Sequence, residues 1–449
     1  MKTITKAFWA FSLALLGLWL WADPLPGLLA GPVAPGFFVV RNSLIQLSGL
    51  LAIGMMSLGL VLAARPAMME PWLGGLDKMY RLHKWLGIAG LCVSIVHWLL
   101  ANGPKWATGW GWMARPAGGR PPRVLPLEPL AQLFQSWRGL AEGLGEWAFY
   151  ASVLLIALAL VKWFPYRWFF KTHRLLAIAY LVLVFHAVVL MNFSDWRQPV
   201  GLVMALLMAA GSVAAVRVLL RRVGGHRKVA AVVERVEHLA DVEVLSVGLR
   251  TTGRWPGHEA GQFAFVTFDP AEGAHPYTLT SAWHDDGRLT LLIKSLGDYT
   301  RQLPLTLQVG QAAEVEGPYG RFTFQGPRRR QIWIGAGIGI TPFVARMKAL
   351  AQVSDGKRID LIHCTAQFDV TAISRLRADV AASGVQLHLL VDDVDGRLDV
   401  ARLCQLVPDW AEADVWFCGP PAFGQAMRQG LLALGLPAAA FHQELFEMR

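Results

Sequence analysis
Two hydrophobic patterns divide the chain near residue 225. Before that point six long apolar runs recur, roughly 7–22, 37–64, 82–101, 146–164, 170–191 and 197–220. Each is long enough to cross a bilayer as a helix. Beyond it the apolar runs shorten to strand length and turn residues separate them. Val229–Glu237, Val242–Arg250, Phe263–Phe268 and Leu289–Lys294 predict a small antiparallel β-barrel over 227–326. Over 328–449 the runs Gln331–Ile334, Ile359–Cys364, Gln386–Val391 and Asp414–Cys418 alternate with helical segments, the pattern of a doubly wound α/β nucleotide-binding domain. The expected fold is a multi-domain membrane protein whose residues 1–222 form a six-helix all-α transmembrane domain.

Composition agrees: 54% of residues are hydrophobic and 16% charged, with positive mean hydropathy. That mix excludes an ordinary soluble protein. The net charge of +10 could point to nucleic acid, but the basic residues cluster at the ends of the apolar runs. They read as topology signals, and no nucleic-acid partner is expected. Lys2, Lys6, Arg65, Lys78, Arg81, Lys84, Lys162, Arg167, Lys171, Arg174, Arg217, Arg221, Arg222, Arg227 and Lys228 fall on one side. Lys105, Arg115, Arg120, Arg123 and Arg138 of loop 102–145 oppose them, but the majority makes that side cytoplasmic together with the soluble half. A multi-pass protein of the plasma membrane, a bacterial inner membrane by preference, follows. Lys2 and Lys6 also fit a signal peptide, but Leu20-Trp21-Ala22 lacks the small residue of a cleavage site, so an uncleaved helix is expected. Loop 102–145, rich in Pro and Gly, is expected outside and partly disordered. Trp19, Trp21, Trp85, Trp98, Trp147, Trp163 and Trp168 form the aromatic belts of a span in the lipid bilayer. The four cysteines include no CxxC pair or zinc spacing.

Four of the twelve histidines fall within the spans: His83 and His97 on the third, His173 and His186 on the fifth. Ionisable side chains inside a membrane are costly, and each needs a reason. The two helices run the same way, so His83 and His173 share the inner level and His97 and His186 the outer. Spacings of 14 and 13 residues separate the levels by about 20 Å. Each level can clamp one b-type haem iron between two imidazoles. Bis-histidine ligation leaves the metal no open site, which suits electron transfer. Fourteen residues return within about 40° of the same helix face, whereas thirteen leave about 140°. The fifth helix is therefore expected to kink, bulge or tilt.

In the soluble half, Gly335-Ala-Gly337-Ile-Gly339-Ile-Thr341-Pro342 follows a strand and opens a helix, an arrangement that brings backbone amides to a pyrophosphate. Cys418-Gly419-Pro420 stands at the end of another strand and should face the same crevice.

These residues together resemble the ferric reductase and NADPH oxidase family, whose soluble half is of the ferredoxin–NADP reductase type. The resemblance covers roughly residues 40–449. It implies that His275-Pro276-Tyr277-Thr278 contacts the isoalloxazine of FAD, and that the segment Lys294 to Thr300, with Gly297 and Asp298, holds the FAD pyrophosphate. It implies that Gly335, Gly337, Gly339, Thr341 and Pro342 bind the nicotinamide dinucleotide, and that Cys418, Gly419 and Pro420 meet the nicotinamide near the flavin, with Thr278 and Cys418 as catalytic residues. Phe446 resembles an aromatic that stacks on the flavin, and Arg41 an arginine that oxidases place beside the outer haem. The histidine spacings also match the family pattern. Two positions depart from it. Ala101 replaces a further histidine of the oxidases. Thr365-Ala366-Gln367 lacks the arginine that commonly binds the 2′-phosphate of NADPH, for which Arg375 or Arg377 could substitute. The implied cofactors are FAD and two b-type haems, with NADPH or NADH as donor. The implied activity is transfer of electrons to a small-molecule acceptor on the outer face, a ferric chelate or oxygen. The alternative is a separate outer redox partner protein.

Overall fold
A computed structural model describes residues 2–23, 36–113, 128–161 and 163–444. Phe446, Lys162 and the loop arginines Arg115, Arg120 and Arg123 lie outside them. The backbone divides into two compact units, essentially 1–223 and 224–449.

The first unit contains six helices long and apolar enough to cross a membrane: α1 (Lys2–Ala22), α2 (Phe37–Ala63), α3 (Leu76–Gly109), α4 (Pro129–Leu160), α5 (Tyr166–Leu190) and α6 (Pro199–Leu219). Their core joins Leu15 of α1, Ile53 of α2, Ala177 and Tyr180 of α5, and Met204, Met208 and Ala215 of α6. Tyr180 shares a hydrogen bond with Ser57 at 2.8 Å and donates to the Met208 carbonyl at 3.3 Å. A Cβ on Gly211 would stand 2.1 Å from the Tyr180 hydroxyl. Such small residues let helices in lipid approach closely enough to share polar contacts.

Loop 102–145 departs from expectation. Helix α3 continues through Pro104 to Gly109, and α4 begins at Pro129; only 114–127 lies outside the described residues. Residues 129–145 are amphipathic rather than disordered. Ala131, Ala141 and Gly145 are buried, while Arg138 and Glu142 pair at 2.9 Å one turn apart.

The second unit opens with a six-stranded antiparallel sheet in the order β4-β3-β6-β1-β2-β5. Its strands are β1 (Lys228–Leu239), β2 (Val244–Thr251), β3 (Phe263–Thr267), β4 (His275–Thr278), β5 (Arg288–Lys294) and β6 (Ala312–Tyr319), with helix α7 (Asp298–Thr306) after β5. A single bridge, Leu279 to Leu291, links its two edges. Strands β4 and β6 were not foreseen: β4 is the flavin motif itself, and Ala312–Tyr319 carries two glutamates and little apolar bulk.

A five-stranded parallel sheet follows, ordered β11-β10-β7-β8-β9: β7 (Arg330–Ala336), β8 (Arg358–Thr365), β9 (Gln386–Val391), β10 (Ala413–Cys418) and the short β11 (Phe441–Gln443). Helices α8 (Thr341–Leu350), α9 (Val370–Ser383), α10 (Val400–Leu406) and α11 (Pro421–Ala433) connect them. Separate apolar clusters cover its two faces, one around Phe417 and Leu403, the other around Trp333 and Phe343. The order reverses between β7 and β10, and ligands of such sheets bind outside the carboxyl ends at that reversal.

The opposite ends of these strands carry a buried ion network. Arg330 pairs with Asp360, and His388 donates to the same carboxylate at 2.6 Å. Arg330 also reaches Asp409 at 3.0 Å. Burial alone would raise the Asp360 carboxyl, but the bonds from His388 and Arg330 outweigh it and hold it below the usual range. Asp360→Ala would leave Arg330, whose side chain is 11% exposed, with Asp409 as its one carboxylate and would take the acceptor from His388. The expected loss is about 3 kcal/mol of stability, read as a lowered thermal midpoint of the purified protein.

Candidate functional site
The structure brings the four span histidines together in pairs. The rings of His83 and His173 are centred 5.9 Å apart, and those of His97 and His186 6.3 Å apart. Two imidazoles that share one metal through Nε2 at about 2 Å have centres about 6 Å apart. Three of the rings are aimed by backbone. Nδ1 of His83 donates to the Gly59 carbonyl at 2.8 Å, and Nδ1 of His186 to the Ala141 carbonyl at 2.8 Å. Nδ1 of His97 lies 3.1 Å from both the Ile45 carbonyl and the Ser48 hydroxyl. Fixing Nδ1 in this way leaves Nε2 free for a metal. His173 instead stacks on Phe169 at 5.1 Å, and its buried Nδ1 meets no partner among the described residues.

Glycines admit these rings. A Cβ on Gly145 would lie 2.0 Å from Nδ1 of His186, and one on Gly49 would lie 3.2 Å from the His97 ring. The expected kink or bulge in the fifth helix is absent: α5 is unbroken from Tyr166 to Leu190. Long imidazole arms and helix inclination must absorb the angular mismatch.

Beyond His97, Pro104 lacks the N–H that would bond the Leu100 carbonyl. Arg41 fills that gap, donating through Nε to Leu100 at 2.7 Å and through Nη2 to the Ala101 carbonyl at 2.9 Å. Arg41, Phe37, Val96, Leu99 and Met113 line an apolar cavity of about 340 Å³ beside this brace.

In the second unit the flavin motif and the nucleotide turn converge. In β4, Thr278 is buried and opposite Phe263 of β3, which also pairs with Tyr319 of β6. Tyr277 enters the apolar core of the sheet, while His275 stacks on Tyr299 at 4.6 Å. Burial pushes His275 down to about 4, so it is neutral at physiological pH. Pro276 precedes this buried pair. Lys294 ends β5, and Gly297 caps α7 ahead of Asp298. The Thr300 hydroxyl accepts from the Leu296 and Gly297 amides at 3.0 Å each, tying the turn to the helix start.

The glycine-rich turn leaves β7 as a single 3₁₀ turn and enters α8 at Thr341 and Pro342. Proline at a helix start forfeits no bond. Gly337 has φ +55° with nothing within 4 Å of a would-be Cβ, an open approach for a ligand. Gly339 is the reverse case: a Cβ there would sit 2.2 Å from the Cys418 carbonyl oxygen. Gly419 in turn abuts Ala336, at 2.7 Å from a would-be Cβ. The turn and the Cys418-Gly419-Pro420 segment thus interlock at the sheet's reversal point. The turn also comes against β5 of the flavin sheet.

Two residues here escaped the sequence reading. His363 of β8 donates from Nδ1 to the Gly335 carbonyl at 3.0 Å, and burial holds it neutral. Glu444 follows β11 and is buried near Gly320 and Cys418. Burial first, and the Glu444 charge second, raise the Cys418 thiol, which stays protonated. A lone histidine in a strand and a glutamate near the chain's end carry no pattern that singles them out.

Fold and site define a class: a membrane-spanning FAD oxidoreductase with a nicotinamide-nucleotide reductase module. Residues 48–184 match the ferric reductase like transmembrane component, and 230–323 match the FAD-binding domain. The chain thus carries a ferric reductase like transmembrane component followed by an FAD-binding module, an order that matches the ferric reductase and NADPH oxidase type of family. It is 30% identical over 207 residues to the stachydrine N-demethylase reductase subunit of Rhizobium meliloti (strain 1021), covering 42% of this chain and 58% of that protein. It is 29% identical over 203 residues to a flavohemoprotein of Burkholderia sp. (strain TH2), covering 42% and 51%. The chain thus spans little more than half the length of these curated relatives. Among solved structures it is similar to the flavohem-like FAD/NAD binding domain of nitric oxide dioxygenase from Vibrio cholerae O1 biovar El Tor. That match has TM-score 0.42 and 22% identity, over 48% of this chain and 97% of that one.

Proposed function
We propose that this protein carries electrons from a nicotinamide dinucleotide across the membrane to an acceptor on the outer face, with its soluble half in the cytoplasm. The observation that carries the reading is the double pairing of half-buried span histidines at metal-sharing separation. FAD, when bound, splits a hydride into single electrons, and b-type haems relay them one at a time.

The chain's own residues position and tune. His83 with His173, and His97 with His186, would hold one haem each, their rings aimed by the carbonyls of Gly59, Ile45 and Ala141. The turn before Thr300 and the charge of Lys294 would bind the FAD pyrophosphate. The amides of Gly337 and Gly339 at the start of α8 would receive the dinucleotide pyrophosphate. Cys418, kept a neutral thiol, offers the nicotinamide an uncharged, water-poor surface, and buried Thr278 brings a hydroxyl to the flavin strand. The final acceptor in this reading is a small molecule, a ferric chelate or oxygen, and the alternative is a separate outer redox partner protein.

Adding NADH or NADPH to the purified protein should produce the absorbance bands of reduced b-type haem. A preparation that binds no haem, or whose haem neither nucleotide reduces, would sink the proposal.

A further inference from the structure
The two cations that follow the second nucleotide strand are Arg375 and Arg377, both on α9. Arg375 is already committed: its guanidinium pairs with Glu237 of β1, in the other sheet. Arg377 lies two residues further along the helix, about 3 Å further from the strand end than Arg375 along the helix axis. The strand end itself is closed by its own side chains. Thr365 Oγ1 donates to the Gln367 carbonyl at 2.7 Å and accepts from the Gln367 amide.

The neighbouring strand end is acidic. Thr365 pairs with Val391, so Asp392, Asp393 and Asp395 lie directly beside it. Nearby arginines are turned away from a ligand. Arg402 donates to the carbonyls of Asp395 and Gly396, and Arg397 lies 3.6 Å from Asp392. In doubly wound sheets, an acidic side chain near this edge accepts from a ribose 2′-hydroxyl, whereas a free arginine accommodates a 2′-phosphate. A phosphate of charge near −2 would here meet carboxylates and no uncommitted cation close to the strand end.

We propose that the electron donor is NADH rather than NADPH, and that the Arg375–Glu237 ion pair enforces the choice by withholding from a 2′-phosphate the arginine nearer the strand end. The inference rests on the nucleotide reading above. Both partners are partly exposed, so the pair is a weak structural brace, and Glu237 can be removed without unfolding the sheet.

The test uses the full-length, FAD-loaded protein in detergent under anaerobic conditions, following flavin bleaching. NADH is expected to bleach the flavin with a kcat/KM about 100-fold above that of NADPH. Glu237→Ala should raise the NADPH value about tenfold and leave NADH unchanged, and the gain should vanish in the Glu237→Ala/Arg375→Ala double variant. Equal use of the two nucleotides, no gain in Glu237→Ala, or a gain that survives loss of Arg375 would each overturn the proposal. Bleaching by dithionite but by neither nucleotide would instead overturn the nucleotide reading beneath it.

Discussion
Replacing His97 with alanine should halve the b-type haem absorbance and lower acceptor reduction at the outer face by about 100-fold or more. Flavin reduction by the nucleotide should stay at the wild-type rate. The separation follows from position. His97 lies on α3 with its ring 6.3 Å from His186, held by Ile45 and Ser48, all within the first unit. The flavin and nucleotide motifs belong wholly to the second. An alanine there leaves one imidazole facing a gap, and a haem held on one side loses half its ligation. Vesicles of known orientation, assayed with a ferric chelate and for superoxide in parallel, read the result. Unchanged acceptor reduction would mean that the helices only anchor a flavin reductase.

Gly339→Val should do the converse. Its Cβ would fall 2.2 Å from the Cys418 carbonyl oxygen and 2.6 Å from the carbonyl carbon. Both are backbone atoms of a buried strand registered residue by residue with β7, so neither can step aside. The turn must move instead, and a displacement of about 1 Å in a positioning element is enough to lower the rate about 100-fold. Nucleotide-driven flavin bleaching should fall by that factor. FAD content should persist, because the flavin motifs sit on β4 and the β5–α7 turn. Dithionite should still reduce every cofactor, which separates a blocked entry from a misfolded protein. Retained nucleotide activity would show that the turn does not carry the dinucleotide.

Much of the fold was legible because its signals are local. Six apolar runs of bilayer length translate directly into α1 to α6, and all four expected parallel strands begin within one residue of the expected start, with Gln386–Val391 matching outright. The helix ends were not legible. Residues 102–109 and 129–145 look like loop by composition, yet tertiary partners make them helical: Arg41 answers the carbonyl that Pro104 leaves bare, and small residues bury one face of α4. Likewise β6 was hidden because Ala312–Tyr319 gains its strand character from its neighbours β1 and β3.

The histidine pairs could be matched by depth alone, but what aims them could not. Gly59, Ile45 and Ala141 contribute only carbonyl oxygens, which any residue offers. The fifth helix stays unbroken, so of the expected kink, bulge or tilt only inclination is left to the helix, and angular bookkeeping overstates the need because it treats side chains as points. Two rings may stand about 6 Å apart and still share a metal, so each can approach from its own flank.

The two histidine levels, 14 and 13 residues apart on their helices, also have an electrical consequence. An electron moving between them would traverse about 20 Å of a hydrocarbon layer about 30 Å thick. It would cross roughly two-thirds of the membrane voltage, which is worth about 1.5 kcal/mol per 100 mV. Outward transfer from an inside-negative cell is then driven by the field. Turnover of the proposed kind would discharge that field, and the protein's rate would then follow the cell's energy state.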